Sequence, residues 1–239
     1  MYKIILFDLD ETLVDFTHSE TISLEIIYQR YYSMIDFSEF LRLFKAINAS
    51  LWDKVGLKEN ALTPSDVSIM RFMQLNQQLG VETPFVSIAD DYETCLGEHA
   101  AWLPNVKPII ESLHRQGYIL GIVTNGLIKV QERKYNRLEL WQWFDCYTVS
   151  DSAGVAKPHP EIFDIALQSI VTKRNLEFID KNTILMVGDS LVNDGYGARD
   201  FGIDFCYVGQ GQKPDELPIK YMIKSVAELM AVINVPSFV

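Results

Sequence analysis

Apolar residues in this chain come in short, unbroken runs. Lys3–Phe7, Tyr118–Val123, Cys146–Val149, Thr183–Val187 and Asp204–Val208 are rich in aliphatic and aromatic residues, and most lack polar alternation. Such runs predict strands covered on both faces, as in a parallel sheet. Helical patterns lie between them. Asn105–Gln116 stops at Gly117, which suits the C′ position, and His159–Val171 begins just after a proline-rich turn. Near the end, Ser225-Val226-Ala227-Glu228 has the form of a capping box ahead of Leu229–Ile233. Strands alternating with helices predict an α/β fold built on a doubly wound parallel sheet.

One interval breaks this alternation. Roughly 110 residues separate the first strand from the second, where a crossover needs only about a dozen. The stretch reads as helical throughout. Thr63-Pro64-Ser65-Asp66 supplies an N-cap residue, a proline at N1 and an acid in the first turn, and Gly80 closes that helix. Ile69, Phe72, Met73 and Leu79 mark its apolar stripe. Residues 15–102 are therefore expected to form an inserted, all-helical cap domain, with 1–14 and 103–239 forming the α/β core.

Composition narrows the partners. The chain has 239 residues, 48% of them hydrophobic, which is ample for a buried core. Its formal net charge of −11 repels a nucleic-acid backbone, so no nucleic-acid polymer is expected as a partner. A small anionic substrate remains compatible, provided its site carries local positive charge. Cys95, Cys146 and Cys206 are odd in number and lack metal-pair spacing, as expected of reduced thiols in a cytoplasmic protein. The apolar run Ile4–Phe7 ends at Asp8, too soon for a signal peptide or a membrane span, so no membrane partner is expected.

In open α/β sheets reactive groups gather at the carboxyl ends of the strands. The first strand runs into Asp8-Leu9-Asp10-Glu11-Thr12, where two carboxylates at i and i+2 can face one crevice. The second ends in Thr124-Asn125-Gly126, a donor-rich turn suited to phosphate oxygens. Beyond the third lies Gly154-Val155-Ala156-Lys157-Pro158, whose lysine can supply the missing cation. The fourth exits into Gly188-Asp189-Ser190-Leu191-Val192-Asn193-Asp194, an oxygen-only set suited to a hard cation. Each piece has an ordinary reading alone: a solvated loop, a common turn, a surface lysine, a helix N-terminus enriched in acids. Their order is specific.

The order D-x-D-x-T, T-N-G, K-P, G-D-x-x-x-x-D, each after a predicted strand, resembles the four-motif series of the haloacid dehalogenase superfamily. The helical insertion falls where that superfamily places its cap. The resemblance implies a Rossmann-type core and Mg²⁺-dependent phosphoryl transfer. It makes Asp8 the nucleophile that becomes an aspartyl phosphate. Asp10 would protonate the leaving alkoxide, then deprotonate the attacking water. Thr124 and Lys157 would hold phosphoryl oxygens, with Asn125 as helper. Asp8, the Asp10 backbone carbonyl and Asp189 would bind Mg²⁺, and Asp194 would bind it or orient its waters. The superfamily's dehalogenases lack an aspartate two residues after the nucleophile, so Asp10 implies ester hydrolysis.

The cap should decide the substrate, and Phe16, Asn48 and Trp52 are its candidate contacts, although aromatic residues at such spacing also serve simply as packing. Asp10-Glu11-Thr12-Leu13, Asn48-Ala49-Ser50-Leu51-Trp52 and Val149–Pro158 resemble the bacterial pyrimidine nucleotidases active on noncanonical nucleotides. That resemblance implies a small phosphate ester as substrate, a pyrimidine nucleoside 5′-monophosphate. Alternatives with the same motifs are a sugar-phosphate phosphatase and a phosphomutase. A receiver-like phospho-accepting module is a non-enzymatic alternative, though its acceptor would normally follow the third strand.

Overall fold

The computed structural model describes residues 2–55, 62–212 and 214–233. In chain order the elements begin β1 (Ile4–Phe7), α1 (Phe16–Ile27), α2 (Phe37–Trp52), α3 (Pro64–Leu79), α4 (Phe85–Glu98), α5 (Val106–Arg115), β2 (Ile119–Thr124) and α6 (Ile128–Arg137). They continue β3 (Cys146–Val149), α7 (Ser150–Ala153), α8 (Glu161–Arg174), β4 (Ile184–Gly188), α9 (Tyr196–Phe201), β5 (Asp204–Val208), β6 (Tyr221–Ile223) and α10 (Leu229–Ile233). Contacts group these into two compact units. One comprises Met1–Asp15, Ala101–Asn125 and Leu138–Val239, and the other Phe16–Ala100 and Gly126–Arg137.

The first unit is the α/β fold that the strand pattern predicts. Six parallel strands lie in the order β3-β2-β1-β4-β5-β6. Ile4 and Leu6 of β1 join a core with Ile184 and Met186 of β4, beneath Phe163 and Ile170 of α8 and Ala198 and Phe201 of α9. Ile5 and Phe7 point to the opposite face and are equally buried, which explains the unbroken apolar run. The order places β1 at the switch point, with β2 on one side and β4 on the other, so the loops after β1 and β4 open into one crevice. Receiver-type sheets follow the order 2-1-3-4-5, so the strand order overturns the receiver-like alternative.

The second unit consists of helices around one apolar cluster, including Phe40, Phe44, Phe72, Leu75, Ile88 and Tyr92. Thr63 caps α3 through a reciprocal bond with Asp66, and Gly80 ends it in the left-handed conformation. Other expectations need correcting. Ile69 and Met73 are 41% and 40% exposed, and the buried face of α3 carries Val67, Ser68, Arg71, Phe72, Leu75 and Asn76. The apolar residues alone misplace that face because three of its members, Ser68, Arg71 and Asn76, are polar. Residues 126–137 also group with the helices, since Leu127 and Val130 are buried in the helical cluster. Near the end, Ser225 accepts from Ala227 N while Glu228 accepts from Lys224 N, so the reciprocal box is not formed. β6 was not foreseen: its Tyr221–Ile223 run is too short to stand out between polar residues.

Candidate active site

Asp8 follows the last residue of β1, and its amide donates to Val187 O of β4 at 2.9 Å. Leu13 N and Val14 N both return to Leu9 O, and Glu11 N reaches Val14 O, folding Leu9–Val14 into a tight turn. Glu11 sits in that turn at φ +59°, a region costly for any residue with a Cβ. Asp8 is buried and Asp10 is half-buried. Thr12, fully buried, donates its hydroxyl to Asp189 Oδ1 at 3.3 Å, which ties the first loop to the fourth. Thr12 appears in the sequence motif, but nothing in the sequence signals this bond.

Lys157 is the junction of the site. Its Nζ donates to Asp8 Oδ1 at 2.5 Å and to Asp194 Oδ1 at 2.7 Å. The lysine is 4% exposed and Asp194 is fully buried. Asn125 Nδ2 donates to Lys157 O, and Lys157 N donates to Asn125 Oδ1, each at 2.9 Å. Both ends of the Asn125 amide thus hold the lysine's backbone, which makes it a positioning group for Lys157. Thr124, at the end of β2, is buried beside it in sequence.

The fourth loop is shaped by Asp194. Its Oδ2 accepts from Ser190 N at 3.0 Å, and Ser190 in turn caps the π-helical turn over Leu191–Gly195. A Cβ on Gly188 would lie 2.2 Å from Asp194 Oδ2. Glycine is therefore required by that close approach.

Oxygen atoms of Asp8, Asp189 and Asp194 all lie within 4.8 Å of one another. Burial raises the Asp8 carboxyl above the ordinary range, and Asp194 and Asp189 add to this, outweighing Lys157. Asp189 is pushed up to about 6, first by burial and then by Asp194. Burial alone would lower the lysine, but Asp194 and Asp8 more than offset it, so Lys157 stays charged. Three converging carboxylates against one ammonium leave an excess of negative charge. An all-oxygen donor set with that excess fits a hard divalent cation such as Mg²⁺.

The remaining site candidates lie in the helical unit. Phe16 opens α1, with Lys134 Nζ 5.1 Å from its ring centre. Trp52 ends α2, and both aromatics pack against the helical core. Asn48, half-buried on α2, accepts from Arg71 at 3.3 Å. No helix of the described residues is long and apolar enough to cross a membrane.

A sequence model described as haloacid dehalogenase-like hydrolase matches residues 5–208. YfnB of Bacillus subtilis, a HAD-hydrolase, is 28% identical over 240 residues, covering 100% of this chain and 98% of its own. Its magnesium-bound crystal structure, which reveals interdomain movement, matches with a TM-score of 0.81 at 26% identity, over 98% of this chain and 99% of that one. The pyrimidine 5′-nucleotidase YjjG of Escherichia coli is 29% identical over 227 residues, 94% of this chain and 95% of its own. The glyceraldehyde 3-phosphate phosphatase of Pyrococcus furiosus is 30% identical over 226 residues, 92% of this chain and 85% of its own.

Proposed function

This chain belongs to the haloacid dehalogenase-like hydrolase family, and from that premise we propose that it is a Mg²⁺-dependent phosphatase acting on pyrimidine nucleoside 5′-monophosphates. The observation that carries the reading is the convergence of Asp8, Lys157, Asp189 and Asp194 from three separate loops. Asp8 attacks phosphorus and forms an acyl phosphate, and the P–O bond to the leaving group breaks. Asp10 gives its proton to the departing alkoxide. It then takes one from the water that cleaves the acyl phosphate, so the enzyme ends as it began. Lys157 and Thr124 hold the phosphoryl oxygens, and Asn125 fixes the lysine. Asp8, Asp189 and Asp194, with the Asp10 carbonyl, would hold Mg²⁺, which supplies positive charge against the phosphoryl oxygens.

Two like charges about 4 Å apart repel by roughly 4 kcal/mol at an effective dielectric near 20. A phosphate dianion meeting three carboxylates adds several such terms, so the cation belongs to the site. The nucleotide reading rests on the likeness to YjjG and on the motif resemblance. A second reading, sugar-phosphate hydrolysis, is favoured by the similar identity to the Pyrococcus phosphatase.

A phosphate-release screen over nucleoside monophosphates and sugar phosphates, with Mg²⁺ and with chelator, separates these readings. Release from UMP, dUMP or dTMP that requires Mg²⁺ and is lost in Asp8→Asn is expected. Turnover that survives chelation or that substitution removes the mechanism, and turnover of sugar phosphates alone replaces the substrate.

A further inference from the structure

The α/β core carries a second concavity besides the carboxylate site. A cavity of about 430 Å³ opens beside the turn after β1, lined by Glu11 and Thr12, by the residues leading into α5, by Val208 at the end of β5 and by Lys224–Glu228 beyond β6. All of these belong to the core unit, and Asp8, Lys157, Asp189 and Asp194 are not among them. Four non-glycine residues of the described chain are held in the left-handed region, and two of them line this cavity: Glu11 at φ +59° and Asn105 at φ +64°. Asparagine tolerates that region, whereas glutamate is strained there. Strain of this kind persists mostly at ligand clamps and other functional positions.

The polar groups of its walls are of both signs. The Lys224 amide donates to Glu228 Oε2 at 3.0 Å and Ser225 caps the turn that follows, which fixes the lysine's backbone. Its ammonium makes no hydrogen bond or ion pair among the described residues, and the Asn105 side chain does not cap its own helix. Glu11 brings a carboxylate, which accepts several hydrogen bonds at once. Leu103, Pro104, Val208 and Val226 supply an apolar lining. A purely anionic ligand would meet Glu11, Glu228 and the field of a chain of net charge −11. A purely cationic one would meet Lys224 and leave its charge unanswered. A ligand with both an ammonium and a carboxylate answers both signs, and an apolar side chain suits the aliphatic lining. The volume falls within the range of small-molecule sites, about 300–1,000 Å³.

We propose that this cavity is a binding site for an α-amino acid with an apolar side chain, its ammonium on Glu11 and its carboxylate on Lys224 and Asn105. The site is separate from the phosphate ester's and does not depend on which ester is hydrolysed. Binding is non-covalent, and no group is transferred. Its occupant touches the turn that carries Asp10, and Thr12 on the same wall reaches Asp189 Oδ1 at 3.3 Å, so occupancy bears on the loops of the carboxylate site. A site that pairs two opposite charges rejects analogues lacking either one, because the partner group is then left unpaired.

The test uses the full-length chain and probes that share one skeleton: L-phenylalanine, phenethylamine, which lacks the carboxylate, and hydrocinnamate, which lacks the ammonium. L-leucine is the second amino acid. Calorimetry at millimolar concentration compares wild type, Lys224→Gln and Glu11→Gln, and thermal melts verify folding. Wild type is expected to bind L-phenylalanine or L-leucine, and the bound amino acid to shift the backbone amide resonances of Thr12, Asn105 and Val226. L-phenylalanine should bind at least about tenfold more tightly than either analogue. Lys224→Gln should erase its advantage over phenethylamine and keep that over hydrocinnamate, and Glu11→Gln should do the reverse. A merely structural disturbance would weaken all probes alike. Lys224 is exposed, so its variant still decides the matter if Glu11→Gln does not fold. Absent binding of both amino acids, equal affinity for the three phenyl probes, losses that ignore the charge removed, or resonance shifts confined to other residues overturns the inference.

Discussion

Gly188→Ala tests the geometry of the fourth loop at its tightest point. An added methyl would lie 2.2 Å from Asp194 Oδ2, 2.4 Å from its Cγ and 2.8 Å from its Cβ. Ordinary contact needs about 3.4 Å or more between such atoms, so the whole Asp194 side chain must move by roughly an ångström. That side chain is fully buried and holds Lys157 at 2.7 Å and Ser190 N at 3.0 Å. Overpacking costs about 1–3 kcal/mol, and weakening one charged hydrogen bond adds about 1.5–3 kcal/mol. The expected loss is therefore about 3–5 kcal/mol in urea denaturation, with at least a hundredfold fall in turnover as the lysine is displaced. Gly202→Ala is the control: its φ of +83° disfavours a side chain, yet nothing lies within 4 Å. It should cost only about 1 kcal/mol and spare catalysis. A Gly188→Ala protein as stable as Gly202→Ala and fully active would refute the close-approach argument.

Other consequences follow from the same loops. Asp10→Asn should slow hydrolysis of alkyl phosphates far more than of p-nitrophenyl phosphate, whose leaving group needs no proton; equal losses argue against its acid role. Glu11→Gly should stabilise the protein by about 0.5–1 kcal/mol, because relief of left-handed strain exceeds the added entropy of the unfolded chain; a loss of stability in denaturant would show that its side chain matters more. Metal-free protein should lose stability as pH rises. Asp189 and Asp8 have folded values raised above their unfolded ones, so their contribution is full below about pH 4 and fades through about pH 6 for Asp189 and higher for Asp8. For Asp189 the shift from 3.8 to about 6 corresponds to about 3 kcal/mol. Thermal melts should show Mg²⁺ raising Tm more at about pH 8 than at about pH 5; a uniform gain would contradict the carboxylate cluster.

Legibility in the sequence followed how local each signal was. The β1, β2, β3, β4 and β5 runs could be read because a strand covered on both faces must be apolar throughout. The convergence of Asp8, Lys157, Asp189 and Asp194 could be read because each loop sits at a fixed place after its strand, and the order of the four is rare. What stayed hidden depended on packing between distant segments. The bond from Thr12 to Asp189 spans 177 positions, and the bond from Lys157 to Asp8 spans 149. No short pattern encodes which partner an amide will hold, so Asn125 could be placed near phosphate but not on the lysine's backbone.

The misread face of α3 carries the most information. Ile69 and Met73 were the residues that a simple rule puts inside, and Arg71 and Asn76 are the residues that the fold buries. Asn76 is satisfied, accepting from Tyr32 at 2.7 Å and donating to Thr83 O at 2.9 Å. Arg71 is satisfied only in part, its Nε having no hydrogen-bond partner among the described residues, although it lies on the same face of the same helix. A fold that needed only a packed interior would have satisfied both or replaced both. Local rules are broken and left uncompensated mostly where a ligand completes the account. Asp8 and Asp194 in the core fit the same logic under the proposed mechanism, in which a cation would offset the excess charge of the carboxylate cluster. The two exceptions differ in sign: the core lacks positive charge, and the helical unit lacks an acceptor.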